Sequence, residues 1–237
     1  MKAMILAAGL GERMRPLTLT TPKPLLQAGN RTLIEYHLAN LVAAGITDIV
    51  INVSWLADKI ISCLGNGASF GVDIEYSRET SPLETAGGIR QALPMLTDST
   101  HTEFVVINGD IWTDFPLSGL HSLVNGNAGH IVLTTNPAHN QKGDFYLAES
   151  GQISNHPPTP APACSHTFSG ISVLDKQIFE LAPANENRLG ILLRLAADQG
   201  KVSGEIMSGQ WYDIGTPDRL DDLHRRLLHS HTRSGNR

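Results

Sequence analysis

The residues best equipped for chemistry cluster near the N-terminus, where a short apolar run, Ala3 to Leu6, leads directly into a loop holding Gly9, Gly11, Arg13, Arg15 and Lys23. Without a Cβ, a glycine lets backbone N–H groups approach an anion closely, and Arg and Lys supply the compensating charge. This combination suits a polyphosphate. Two carboxylates stand apart from the loop: Asp110 closes Asn108-Gly-Asp after an apolar run, and Asp213 lies in Trp211-Tyr-Asp-Ile-Gly-Thr216. A lone Asp at a strand end is ordinarily a turn former, and with oxygen ligands it also suits a hard cation such as Mg²⁺. Residue type alone leaves both readings open. Arg15 is equally open, as a third phosphate cation or as a brace paired with a carboxylate.

Neither common glycine motif fits. The dinucleotide fingerprint needs a glycine where Met14 stands, which removes a dehydrogenase reading, and no GK[ST] follows for a P-loop. The run Leu6 to Leu25, LAAGLGERMRPLTLTTPKPL, resembles in one register the signature LAAGxGxRMxPLTxxxPKPL of the sugar-1-phosphate nucleotidyltransferase family. The resemblance implies attack by a sugar-1-phosphate oxygen on the α-phosphorus of a nucleoside triphosphate, with release of pyrophosphate. A phosphate monoester, with a second pKa near ~6, is already largely dianionic at neutral pH and needs no general base. What it needs are cations that bring two polyanions into line and stabilise the charge that develops. Arg13, with a planar fork, suits the triphosphate, and Lys23, a point charge, suits the α-phosphate.

The resemblance also implies a nucleotide site of Leu6, Ala8, Gly9, Gly11, Glu12, Arg13 and Lys23. It adds Glu79, Glu84 and Thr85 of the segment RETSPLETAGG at the base and ribose. By spacing alone these last three are equally solvated loop and cap residues. Asp110 and Asp213 become Mg²⁺ ligands, and Asn108, Gly143, Asp144, Asn155 and Ser169 become sugar contacts. The chain departs from the commoner family pattern on the sugar side. Phe168 stands where Asn is usual, and Ser154, Asn155 and His156 replace an EKP motif. These departures, with KGDFYL, FSGISVL and KVSGEI, resemble the family's uridylyltransferases for N-acetylmuramate α-1-phosphate in bacterial cell-wall recycling. UTP and that sugar phosphate are then the expected small-molecule partners. Without the acidic motif, a bulky anionic sugar meets less repulsion, although Asp144 fits this picture poorly. A guanylyl- or uridylyltransferase for mannose or glucose 1-phosphate is the alternative enzyme, and a non-catalytic nucleotide-sugar sensor the alternative of another class.

The elements that must position these residues alternate. Leu33, Ile34, Leu38, Leu41 and Val42 recur at helical spacing before Gly45, Ile49 to Val53 reads as a buried strand, and the pattern repeats through Phe104 to Asn108. This predicts an α/β fold with a doubly wound, mostly parallel sheet, which the resemblance narrows to a Rossmann-like nucleotidyltransferase fold. Ligands of such sheets bind beyond the carboxyl ends of the strands. The looser, proline-rich stretch over about 136–175 reads as a small inserted sugar-binding lobe of one domain spanning 1–228. The polar end, 229–237, reads as a disordered tail, despite His229 and His231, which mimic a metal pair. A net charge of −5 without a basic run argues against nucleic acid. Cys63 and Cys164 lack disulfide or zinc spacing, and no long apolar segment occurs, so a cytoplasmic protein off the membrane is expected. Oligomeric state has no signal in the sequence.

Overall fold

The computed structural model describes all residues except 121, 124–125, 158–163 and 235–237. Most of the proline-rich run therefore lies outside the described residues. In chain order the elements are β1 (Lys2–Leu6), β2 (Gln27–Ala28), β3 (Arg31–Thr32), α1 (Leu33–Ala43), β4 (Asp48–Val53), α2 (Ala57–Leu64), β5 (Asp73–Arg78), α3 (Glu84–Leu96), β6 (Glu103–Asn108) and β7 (Ile111–Thr113). There follow β8 (Gly129–Thr134), β9 (Phe145–Leu147), β10 (Ile153–Ser154), β11 (Ser165–Asp175), α4 (Leu189–Asp198), β12 (Val202–Ile206), β13 (Trp211–Asp213) and α5 (Pro217–Ser234).

The main sheet orders its strands β10-β9-β11-β6-β1-β4-β5, with β8 on β11 and β12 beyond it. β6, β1, β4 and β5 run parallel, and β11 joins antiparallel to β6. The period-two alternation of β1 explains why helices cover both faces. Ala3 and Ile5 enter one core with residues of α1 and α2, whereas Met4 enters the other with residues of α3 and α4. Helix α1 starts where Thr32 and Glu35 form a capping box, the Thr32 N–H donating to Glu35 Oε2 at 2.6 Å.

Two boundaries differ from the sequence expectation. The inserted lobe does not extend to 175, because Ile171–Asp175 pair along β6 within the main sheet. β9 and β10 pair outward from the first residues of β11 at the edge of the sheet. A bulge between Phe168 and Ile171 marks the transition, with Gly170 in a left-handed conformation against Asn108. The polar end read as a disordered tail, 229–237, begins instead as helix, with α5 running to Ser234 and 235–237 outside the described residues. The apolar stripe of α5, Leu220, Leu223 and Leu227, packs with Trp112 and Leu33 in a third core. The final turns are carried by helix propagation from that docked stripe, which hydrophobic periodicity in the polar end could not reveal.

Candidate active site

A cleft of about 620 Å³ opens beyond the carboxyl ends of β1, β4, β5 and β6. It is where a parallel sheet leaves strand-end loops free to meet a ligand. The first wall is the loop after β1. Gly11 takes a left-handed conformation (φ 63°), and a Cβ there would come within 2.8 Å of Thr18 Cγ2, so this glycine is required by the turn. Thr18 Oγ1 donates to the Gly11 carbonyl at 2.7 Å and fixes the turn from below. Gly9 differs: a Cβ there would meet nothing within 4 Å. Its small size leaves room on the cleft side.

Leu6, Ala8, Gly9, Gly11, Glu12, Arg13, Lys23, Glu79, Glu84, Thr85, Asn108 and Asp110 all line the cleft. Lys23 is mostly buried. Its side chain is 11% exposed and its Nζ donates to Asp110 Oδ2 at 2.9 Å. Arg15 points away into an exposed pair with Glu12 at 3.7 Å, which gives it the bracing position. Such a pair contributes little to stability.

Glu79 is buried at the far wall and accepts from Asn52 Nδ2 at 2.7 Å and from the Leu83 N–H at 3.1 Å. Asn52 Oδ1 in turn accepts from the Ala7 N–H at 2.8 Å. This buried chain ties the glycine loop, β4 and the Glu79 segment together, and a side chain at Gly88 would collide with it, 2.5 Å from Glu79 Oε1. Asn52 was not singled out from the sequence. The signal is a polar residue within the apolar run DIVINV. Glu84 opens α3 in the left-handed region (φ 61°), a conformation disfavoured for a side chain and enriched at ligand sites. Thr85 Oγ1 accepts from the Leu189 N–H at 2.8 Å and so also anchors the start of α4.

Of the two carboxylates, Asp110 directly precedes β7 and Asp213 ends β13. β13 pairs antiparallel with β7, setting Asp213 opposite Ile111, and the Ile214 N–H donates to the Asp110 carbonyl at 2.8 Å. Gly109 precedes them because its backbone passes Leu6 closely: a Cβ would fall 2.4 Å from the Leu6 carbonyl oxygen. Asp213 Oδ2 accepts from Arg219 Nη1 at 2.6 Å and lies 3.0 Å from His139 Nε2. Beneath Asp110, burial pushes the His37 imidazole down to about 4, against smaller opposing effects of Asp110 and a hydrogen bond with the Ile111 backbone.

The expected sugar contacts are placed less uniformly. Asn108 lines the cleft, and its buried Oδ1 has no hydrogen-bond partner among the described residues. Gly143, Asp144, Asn155, Ser169 and Asp213 are not among the cleft-lining residues. Asp144 Oδ2 accepts from the Phe168 N–H at 2.9 Å and from Asn140 Nδ2 at 3.1 Å, with Arg194 3.9 Å from its other oxygen. Asn155 is tied to α4 through the Arg194 carbonyl (2.8 Å) and Asp198 (2.7 Å). Ser169 is fully buried in the bulge, its carbonyl accepting from Trp211 Nε1 at 2.8 Å. Gly143 is crowded by Ser165 and Asn136. These four make their contacts within the protein rather than along the cleft.

Comparison with known proteins gives a consistent picture. The chain is 43% identical over 228 residues to an N-acetylmuramate alpha-1-phosphate uridylyltransferase of Neisseria meningitidis serogroup B, covering 94% of this chain and 96% of that protein. A mannose-1-phosphate guanyltransferase of Kluyveromyces lactis is 31% identical over 224 residues, 92% of this chain and 62% of that longer protein. The fold matches a putative glucose-1-phosphate thymidylyltransferase of Bacillus anthracis with a TM-score of 0.81 at 24% identity, over 96% and 95% of the two chains. A family model described as nucleotidyl transferase matches residues 2–230. With that match spanning nearly its whole length, the chain belongs to the nucleotidyl transferase family and is a sugar-1-phosphate nucleotidyltransferase.

Proposed function

We propose that this enzyme condenses N-acetylmuramate α-1-phosphate with UTP to give UDP-N-acetylmuramate and pyrophosphate, as a cytoplasmic step of peptidoglycan recycling. The observation that carries the reading is the near end-to-end match to a relative with that activity in its name. The guanyltransferase extends well beyond the matched region. Asp144 adds support. Its carboxylate is engaged by the Phe168 N–H, Asn140 and Arg194, which directs it toward protein partners and lessens its repulsion of an anionic sugar.

Arg13 and Lys23 take the triphosphate, with Lys23 at the α-phosphate. Both reacting groups are anionic, so the work of these residues is alignment and charge stabilisation rather than proton transfer. Glu79, held by Asn52, faces the base end, and Asn108 offers an acceptor toward a sugar hydroxyl. Asp110 and Asp213 fit Mg²⁺. Asp110 directly precedes β7 and Asp213 closes its antiparallel partner β13, and a pair of carboxylates is what this ion takes together with phosphate oxygens and water. When bound, the ion supplies electrophilic stabilisation of the phosphate charge. The deciding measurement is kcat/KM for N-acetylmuramate, N-acetylglucosamine, glucose and mannose 1-phosphates, each with UTP, dTTP and GTP. N-acetylmuramate with UTP is expected to lead by at least tenfold, about 1.4 kcal/mol of transition-state binding. A tenfold lead for mannose with GTP or glucose with dTTP overturns the substrate assignment and leaves the family membership intact.

A further inference from the structure

Asp213 is held unevenly. Arg219 Nη1 and His139 Nε2 both meet the same oxygen, Oδ2, at 2.6 and 3.0 Å. A Cβ built on Gly215 would lie 3.0 Å from Arg219 Nη1, 3.3 Å from Asp213 Oδ1 and 3.4 Å from Arg13 Nη1, so Arg219, the other carboxylate oxygen and Arg13 all meet at this glycine. Gly215 lines the cleft. Oδ2 thus takes both the Arg219 and the His139 contact, and Oδ1 is the oxygen nearer the cleft-lining glycine. Arg219 comes from the start of α5, behind the Thr216-Pro217 cap, and His139 from the connection between β8 and β9. A guanidinium is well suited to this task because it is permanently charged and directional.

We propose that Arg219 and His139 are positioning residues that clamp Asp213 through Oδ2 and so leave Oδ1 as the oxygen offered to a divalent cation. The proposal rests on the assignment of Asp213 as a metal ligand. A carboxylate free to rotate about its terminal torsion would spread both oxygens over many orientations. Anchoring one oxygen selects a single orientation for the other, and outer hydrogen bonds of this kind typically account for ten- to hundredfold in metal affinity. The connection holding His139 also carries Asn140, which donates to Asp144 at 3.1 Å. The clamp therefore joins the metal carboxylate to the sugar side of the molecule.

The test is a titration with Mn²⁺, followed as loss of the free-ion electron paramagnetic resonance signal, on the full chain saturated with UTP. Parent, Arg219→Ala, Arg219→Lys, His139→Ala and Asp213→Asn are compared. Arg219→Ala is expected to weaken Mn²⁺ binding ten- to hundredfold, with Arg219→Lys recovering part of the loss and His139→Ala showing a smaller one. Unchanged Mn²⁺ affinity in Arg219→Ala overturns the proposal and leaves the arginine as a docking contact of α5. Tighter binding also overturns it, by making Arg219 a competitor of the metal. If Arg219→Ala does not fold, Arg219→Lys and His139→Ala decide on the same titration: losses support the clamp, and parental affinity in both removes it. Asp213→Asn separates the two levels. If it binds Mn²⁺ as the parent does, the metal assignment itself fails and the clamp fails with it.

Discussion

Asn52 Nδ2 donates a buried hydrogen bond to Glu79 Oε1 at 2.7 Å, joining the ends of two parallel strands beneath the glycine loop. Through its Oδ1 the same asparagine receives the Ala7 N–H. The glycine loop is thereby fixed to the Glu79 segment of the cleft wall.

Asn52→Leu should raise KM for the nucleoside triphosphate more than it lowers kcat, because it frees the loop without touching the reacting groups. It should also cost about 1–3 kcal/mol of stability, since the Ala7 N–H and the Glu79 carboxylate both lose a buried partner. Steady-state kinetics with varied nucleotide, beside urea denaturation, check this. A KM within twofold of the parent would show that the loop keeps its shape without Asn52.

Lys23→Ala should lower kcat by on the order of a hundredfold or more, the size typical of a lost transition-state donor. The fold should persist, because the partner it leaves behind, Asp110, is 39% exposed and can be solvated. Turnover within threefold of the parent, measured on a variant with parental melting behaviour, would remove Lys23 from the reaction.

His37 makes stability depend on pH in one direction. Its imidazole is buried and titrates at about 4 in the folded chain, against an ordinary value of 6.5. The unfolded chain therefore binds a proton that the folded chain refuses as pH falls from about 6.5 toward 4. This contribution to stability is fully present above 6.5 and is lost through that window, on the order of 3 kcal/mol in total. Urea midpoints between pH 7 and pH 4.5 should fall more steeply for the parent than for His37→Gln. Parallel slopes would assign the acid sensitivity to other groups.

The sequence alone was sufficient for the main-sheet strands and the helices from β1 to β6 and for most of the cleft lining. Both depend on local information: period-two and helical spacing around β1, α1 and β4, and a contiguous signature whose residues, from Leu6 to Lys23, need only their own loop to face one ligand. Strand ends of a parallel sheet converge whatever their distance in sequence, so Glu79, Asn108 and Asp110 were also legible. Tertiary structure decided what each polar group does once there. Arg15 and Arg13 are two residues apart and of one type, yet one meets Glu12 in solvent while the other stands beside Gly215. Asp144 and Asn155 have the chemistry of sugar ligands, and their hydrogen bonds go instead to Phe168 and α4. Asn52, His139 and Arg219 acquire their roles only from partners 27, 74 and 6 residues away. A side chain's hydrogen bonds are satisfied by whichever group the packed chain brings within about 3 Å, and that choice is made by the fold as a whole.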